Sequence, residues 1–104
     1  MDNYYVYILT NQRKTVLYIG VTNNLRLRWQ QHKEKSDKRS FTSRYNCHFL
    51  VHAEYFDSIK EAIMREKELK KWRREKKNAL ISAHNPDWEF LEWWVDDKRD
   101  GIPE

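Results

Sequence analysis

At 104 residues, 39% apolar and 14% aromatic, the chain is long enough for one domain with a modest core built around large rings. One cysteine, Cys47, excludes an intramolecular disulfide and a cysteine-rich zinc site, and its expected role is that of a small buried hydrophobe. The net charge of +4 is accompanied by no signal peptide and no membrane-length apolar run, so a soluble, cytoplasmic protein is expected.

Residues 4–9 (YYVYIL) and 16–21 (VLYIGV) are short aromatic and β-branched runs, which predicts two strands joined by the polar loop TNQRKT. Thr22 or Asn23 is placed to cap a helix over about 24–35, in which Leu25, Trp29 and His32 follow i, i+4, i+7 spacing. Residues 36–46 are polar and read as a loop. A third strand is expected over 48–56, with Phe49, Val51, Ala53 and Tyr55 on one face. Ser58-Ile59-Lys60-Glu61 has the spacing of a capping box and opens a helix over about 59–73. A last helix, about 75–83, should end near His84, because Asn85-Pro86 disfavours continuation. The order β-β-α-β-α-α describes a small α/β (α+β) domain that starts with an antiparallel hairpin. Near the C-terminus the chain reads as loosely ordered, although Trp88, Phe90, Leu91 and Trp93-Trp94 have apolar surface to cover.

Tyr5-Val6-Tyr7 is followed by Tyr18-Ile19-Gly20, and Arg28 and His32 come after them in a basic chain. Helical phase turns Arg28 and His32 toward the same side as Leu25 and Trp29, where an arginine and a histidine need partners. Such partners are the hairpin tyrosines or a bound anion; otherwise Arg28 snorkels past Trp29. In the second helix Ile59, Ala62, Ile63 and Leu69 form an apolar stripe with Glu66 near its centre. A carboxylate there is disfavoured unless paired or bound to metal, and Lys70 at i+4 offers a local partner. Charge is also uneven: residues 60–77 carry nine basic and four acidic side chains, and residues 85–104 two basic and seven acidic. The basic block is suited to a polyanion, or to solvent alone.

The ordered set Tyr5-Val6-Tyr7, Tyr18-Ile19-Gly20, Arg28, His32 and Glu66 resembles the GIY-YIG nuclease superfamily. The stretches LYIGVTNNLRLRWQQHK, FTSRYN, AIMREKELKKW and NPDW look like its small stand-alone bacterial members, over about residues 4–88. The resemblance implies a three-stranded antiparallel sheet flanked by helices in residues 1–88, followed by an acidic tail in 89–104. It implies metal-dependent cleavage of DNA phosphodiesters, with a link to repair or recombination. Carried over by position, Glu66 would ligate one Mg²⁺ or Mn²⁺ and Arg28 would hold the scissile phosphate. Tyr7 or Tyr18 would deprotonate the attacking water, with the other orienting it, and His32 would assist. Lys33, Lys67, Lys70, Lys71, Arg73, Arg74 and Asn85 are the expected DNA contacts, with DNA structure recognised in preference to sequence. Tyr5 stands where the first motif has glycine, and Val21 where some members carry lysine. No small-molecule cofactor is expected. The alternatives are a non-catalytic nucleic-acid-binding module of the same fold and a protein-interaction domain anchored through Trp93-Trp94.

Overall fold

The computed structural model describes residues 3–34 and 39–91, so the Trp93-Trp94 tail lies outside the described residues. The elements are β1 (Tyr4–Thr10), β2 (Leu17–Thr22), α1 (Leu25–Glu34), α2 (Phe41–Arg44), β3 (Phe49–Phe56), α3 (Ile59–Lys71) and α4 (Arg74–His84). The expected α+β architecture is present, with one addition. The short helix α2 lies inside the segment read as a loop, where Ser40 Oγ caps it by accepting from Ser43 N.

The sheet is antiparallel with strand order β2-β1-β3. The central strand is the most buried of the three, because both its faces are covered, and all but its first residue are buried. Its residues alternate between two cores. Tyr5, Tyr7 and Leu9 pack with Leu25 and Trp29 of α1 and with Cys47 and Leu50. Val6 and Ile8 pack with Ile19, Val51, Ala62 and Leu69 of α3, and Ile81 of α4. Burial pushes the Cys47 thiol up to about 11, leaving it a packing group at neutral pH.

Two local expectations are corrected. The register between β1 and β3 slips after Ile8, which pairs with His52, while Leu9 pairs with Leu50. This bulge inserts Val51 as an extra residue, so Leu50 joins the α1 side and Val51 the α3 side, and the expected single face through Phe49, Val51, Ala53 and Tyr55 does not exist. On α3, Ile59 and Ile63 are exposed, and burial centres on Ala62 and Leu69.

Side chains close the loops and helix ends. Asn11 Oδ1 accepts from the amides of Thr15 and Val16 and shapes the β1–β2 connection. Asn24, in place of the expected Thr22 or Asn23, caps α1 by accepting from Leu27 N at 3.0 Å. Ser58 Oγ accepts from Glu61 N at the start of α3. Beyond α4 the chain folds back on β3: Phe90 stacks on Phe49 at 4.2 Å and Leu91 N donates to Leu50 O at 2.8 Å. The packed body therefore reaches Leu91, past the boundary expected at residue 88.

Candidate active site

The hairpin register sets the position of the first phenol. Tyr7 lies opposite Gly20, and its ring passes directly over that glycine. A Cβ at residue 20 would lie 2.5 Å from Tyr7 Cζ, so the glycine of the Tyr18-Ile19-Gly20 motif is the space the Tyr7 ring occupies. The Tyr7 side chain is almost wholly buried, while Tyr18 on β2 is half-buried beside it, with ring centroids 6.3 Å apart.

Helix α1 supplies the next two groups. His32 Nε2 is 3.0 Å from the Tyr7 hydroxyl, and His32 Nδ1 is 2.8 Å from Thr42 Oγ1 on α2. Thr42 in turn meets Ser40 Oγ at 3.2 Å. Burial above all, and then Arg28, lowers His32 to about 4, so its ring is neutral at pH 7. A neutral imidazole has one donor and one acceptor, which these two contacts use. Arg28 is largely exposed along its side chain, contrary to the inward position expected from helical phase. Its guanidinium is nevertheless close enough to the Tyr7 and Tyr18 hydroxyls to feel both, and it donates to Gln31 Oε1 at 3.1 Å. Desolvation of Arg28 is outweighed by those phenols, and the cation is stabilised.

Helix α3 packs on the other side of the sheet, from where the Glu66 charge exerts the smallest of the electrostatic influences on Tyr7. The Glu66 carboxylate, 17% exposed, pairs with Lys70 Nζ at 3.2 Å, the i+4 partner expected from sequence. Burial first, then Tyr18, holds the Tyr7 phenol well above its ordinary value against the opposing pull of Arg28, and Glu66 adds to the rise. Tyr7, Tyr18, Arg28 and His32 thus gather around one buried hydroxyl, and the Glu66 carboxylate acts on it at longer range. Thr42 and Ser40 were missed by sequence reasoning. The signal available was the cap spacing from Ser40 to Ser43 inside an otherwise polar stretch.

The remaining candidates divide. Lys67, Lys70, Lys71 and Arg73 are exposed along α3 and the α3–α4 connection. Lys33 lies over the Trp29 ring at 4.9 Å. Two residues make bonds within the protein. Arg74 donates to the Thr15 and Lys14 carbonyls at 2.9 and 3.0 Å and to Asn78, tying α4 to the hairpin loop. Buried Asn85 donates to Val51 O and Glu89 O and accepts from Glu89 N, so its amide anchors the C-terminal turn to β3.

A second polar cluster stands apart from this site. Glu54 on β3 is bonded by His52 at 2.8 Å and by Arg65 at 2.8 and 3.1 Å, and Arg65 also reaches Glu68 at 2.9 Å. Burial alone would raise the Glu54 pKa; the bonds from His52 and Arg65 prevail and hold it at about 2. The cluster joins β3 to α3, the helix that carries Glu66.

Comparison with known proteins identifies the family. The GIY-YIG catalytic domain family matches residues 3–79. A UPF0213 protein of Syntrophus aciditrophicus is 38% identical over 87 residues, covering 84% of this chain and 98% of its own length. A UPF0213 protein of Natronomonas pharaonis is 36% identical over 80 residues, covering 77% of this chain and 92% of its own. The solution NMR structure of a UPF0213 protein from Bacillus halodurans superposes with a TM-score of 0.54 at 30% identity, over 86% of this chain and 93% of that one. With its three-stranded sheet and its tyrosine motifs in register across β1 and β2, the chain belongs to the GIY-YIG family, among the small UPF0213 proteins.

Proposed function

We propose that the protein is a metal-dependent endonuclease that hydrolyses DNA phosphodiester bonds. One observation carries the reading: two phenols, a guanidinium and a neutral imidazole gather at the Tyr7 hydroxyl, within electrostatic range of a carboxylate. Packing alone does not call for that combination in so small a domain.

Glu66 would hold the cation. It offers a hard oxygen donor, and among the described residues no group of three or more His, Cys, Asp and Glu is placed to hold a metal ion. A single carboxylate completed by waters and phosphate oxygens fits Mg²⁺ or Mn²⁺ and does not fit zinc. When bound, the ion supplies positive charge that polarises the phosphate and favours ionised oxygen at the site.

The chain's own residues do the rest. Arg28 binds the scissile phosphate, exchanging phenol contacts for charge-assisted bonds to phosphate oxygens, and offsets charge as it develops. Tyr7 is the phenol with a route for a proton: it takes one from the attacking water as its own passes to His32 Nε2. Tyr18, the more exposed of the pair, orients that water. Thr42 holds the imidazole in place through Nδ1. In the free protein this transfer is uphill, because Tyr7 is raised and His32 is lowered to about 4. Phosphate binding at Arg28 relieves part of the depression of His32, which links base activation to occupation by substrate. The exposed cations Lys67, Lys71 and Arg73 supply sequence-independent attraction for the backbone.

The test is nicking of supercoiled plasmid in Mg²⁺, Mn²⁺ or EDTA by wild type and by Tyr7→Phe. Cleavage restricted to metal and lost in Tyr7→Phe supports the reading. Salt-sensitive binding without turnover in either protein would favour a non-catalytic DNA-binding module.

A further inference from the structure

The short helix α2 does more than hold His32. Its Thr42 points inward, 3% exposed, while Phe41 and Tyr45 on either side of it are 45% and 44% exposed. Phe41 stacks on Tyr18 with ring centroids 6.0 Å apart and planes 29° from parallel. Tyr45 meets Phe41 at 4.7 Å with the two planes tilted by 44°. The three rings form a ladder that begins at the phenol beside Arg28 and ends in solvent. Cations flank it: the Arg44 guanidinium lies 6.0 Å from the Tyr45 ring, and Lys70 and Lys77 line the depression shared with Leu17, Tyr18, Ile19 and Phe41.

We infer that Phe41 and Tyr45 form a stacking platform for an unpaired nucleobase of the DNA strand whose phosphate lies at Arg28. The inference rests on the nuclease reading for the position of that phosphate. Exposed aromatic side chains beside cations match the two parts of a nucleotide, an aromatic plane and an anionic backbone. Bases inside a duplex have their faces covered by neighbouring pairs, so only a single strand, a flap or a frayed end can use such a surface. The Ser40 cap and the Thr42–His32 bond tie α2 to the site, which gives the platform a fixed place one ring beyond Tyr18. The selected substrate is therefore DNA with unpaired nucleotides next to the cleaved bond.

The experiment is fluorescence anisotropy in EDTA with three probes: a 12-nucleotide oligothymidylate, the same backbone with abasic sites, and a 12-base-pair duplex. Base stacking on an aromatic side chain corresponds to roughly 5- to 150-fold in affinity per base. Wild type should bind the thymidine strand more tightly than the abasic strand by a factor in that range. Phe41→Ala and Tyr45→Ala should erase the difference and leave duplex binding unchanged. Phe41→Leu keeps apolar cover on Tyr18, serves as the folding control by thermal melt, and should lose the base preference as well. Equal wild-type affinity for the thymidine and abasic strands would overturn the inference, as would substitutions that weaken all three probes alike. A platform that instead joins two copies of the chain would show as a change in sedimentation on Phe41→Ala with DNA affinity unaltered, which also overturns it. Base preference without metal-dependent cleavage would refute the nuclease and leave the platform; cleavage without base preference would do the reverse.

Discussion

Gly20→Ala isolates the contact that joins the two tyrosine motifs. The added methyl would sit 2.5 Å from Tyr7 Cζ and 3.0 Å from Cε2, well inside ordinary van der Waals separation. The Tyr7 ring, only 1% exposed, belongs to a core cluster with Tyr5, Leu9, Leu25 and Trp29, and close-packed interiors resist such displacement. Overpacking of this kind costs about 1–3 kcal/mol. For a domain of this size each kcal/mol lowers Tm by roughly 4–8 °C. Urea unfolding measures the loss directly, with an unchanged m-value expected. Gly20 does not adopt left-handed backbone angles, so the penalty comes from the ring and not from the main chain. The same substitution in a Tyr7→Leu background should therefore cost less, with a coupling of about 0.5–3 kcal/mol between the positions. An equal penalty in both backgrounds, or none in either, would refute the assignment of Gly20 as space for Tyr7.

Three further outcomes are expected. His32 is lowered from 6.5 to about 4, so between those values the unfolded chain binds more protons than the folded one. Stability is complete above pH 6.5 and falls as pH drops toward 4; His32→Gln should flatten that slope in urea midpoints taken from pH 7.5 to 4.5. Glu54 is lowered from 4.5 to about 2, so its contribution is present above pH 4.5 and is lost as pH falls toward 2. Glu54→Gln should remove that acid dependence and cost about 1.5–3 kcal/mol at pH 7, the range of a hydrogen bond to a charged group, as read by urea unfolding. Lys67→Ala with Lys71→Ala should leave the thermal melt nearly unaltered and lower the salt slope of DNA binding by roughly 0.9 for each phosphate no longer neutralised.

Strands, long helices and the inward stripe of α1 were legible because hydrophobic period and capping residues act over short range. The strand pair YYVYIL and VLYIGV and the Ser58 start of α3 needed nothing beyond local pattern. What escaped depends on partners distant in sequence. The bulge at Val51 arises from pairing with β1, and period-two counting along β3 cannot register an extra residue. Four residues of α2 carry too little periodicity to stand out, and their role appears only when Thr42 meets His32, ten positions earlier. Arg74 was read as part of the basic block and Asn85 from the family resemblance; the backbone carbonyls that engage them come largely from strands and loops far along the chain. Glu66 was read from its phase on α3, and its influence on Tyr7 follows from α3 packing against the hairpin.

Cleavage of supercoiled, single-stranded and branched DNA by wild type and Glu66→Ala, side by side with Mg²⁺ or Mn²⁺, bears most directly on the proposed chemistry. Wild type should cut only with the divalent ion, and Glu66→Ala should keep the fold and lose cleavage. Undiminished metal-dependent cutting by pure, folded Glu66→Ala would contradict the account.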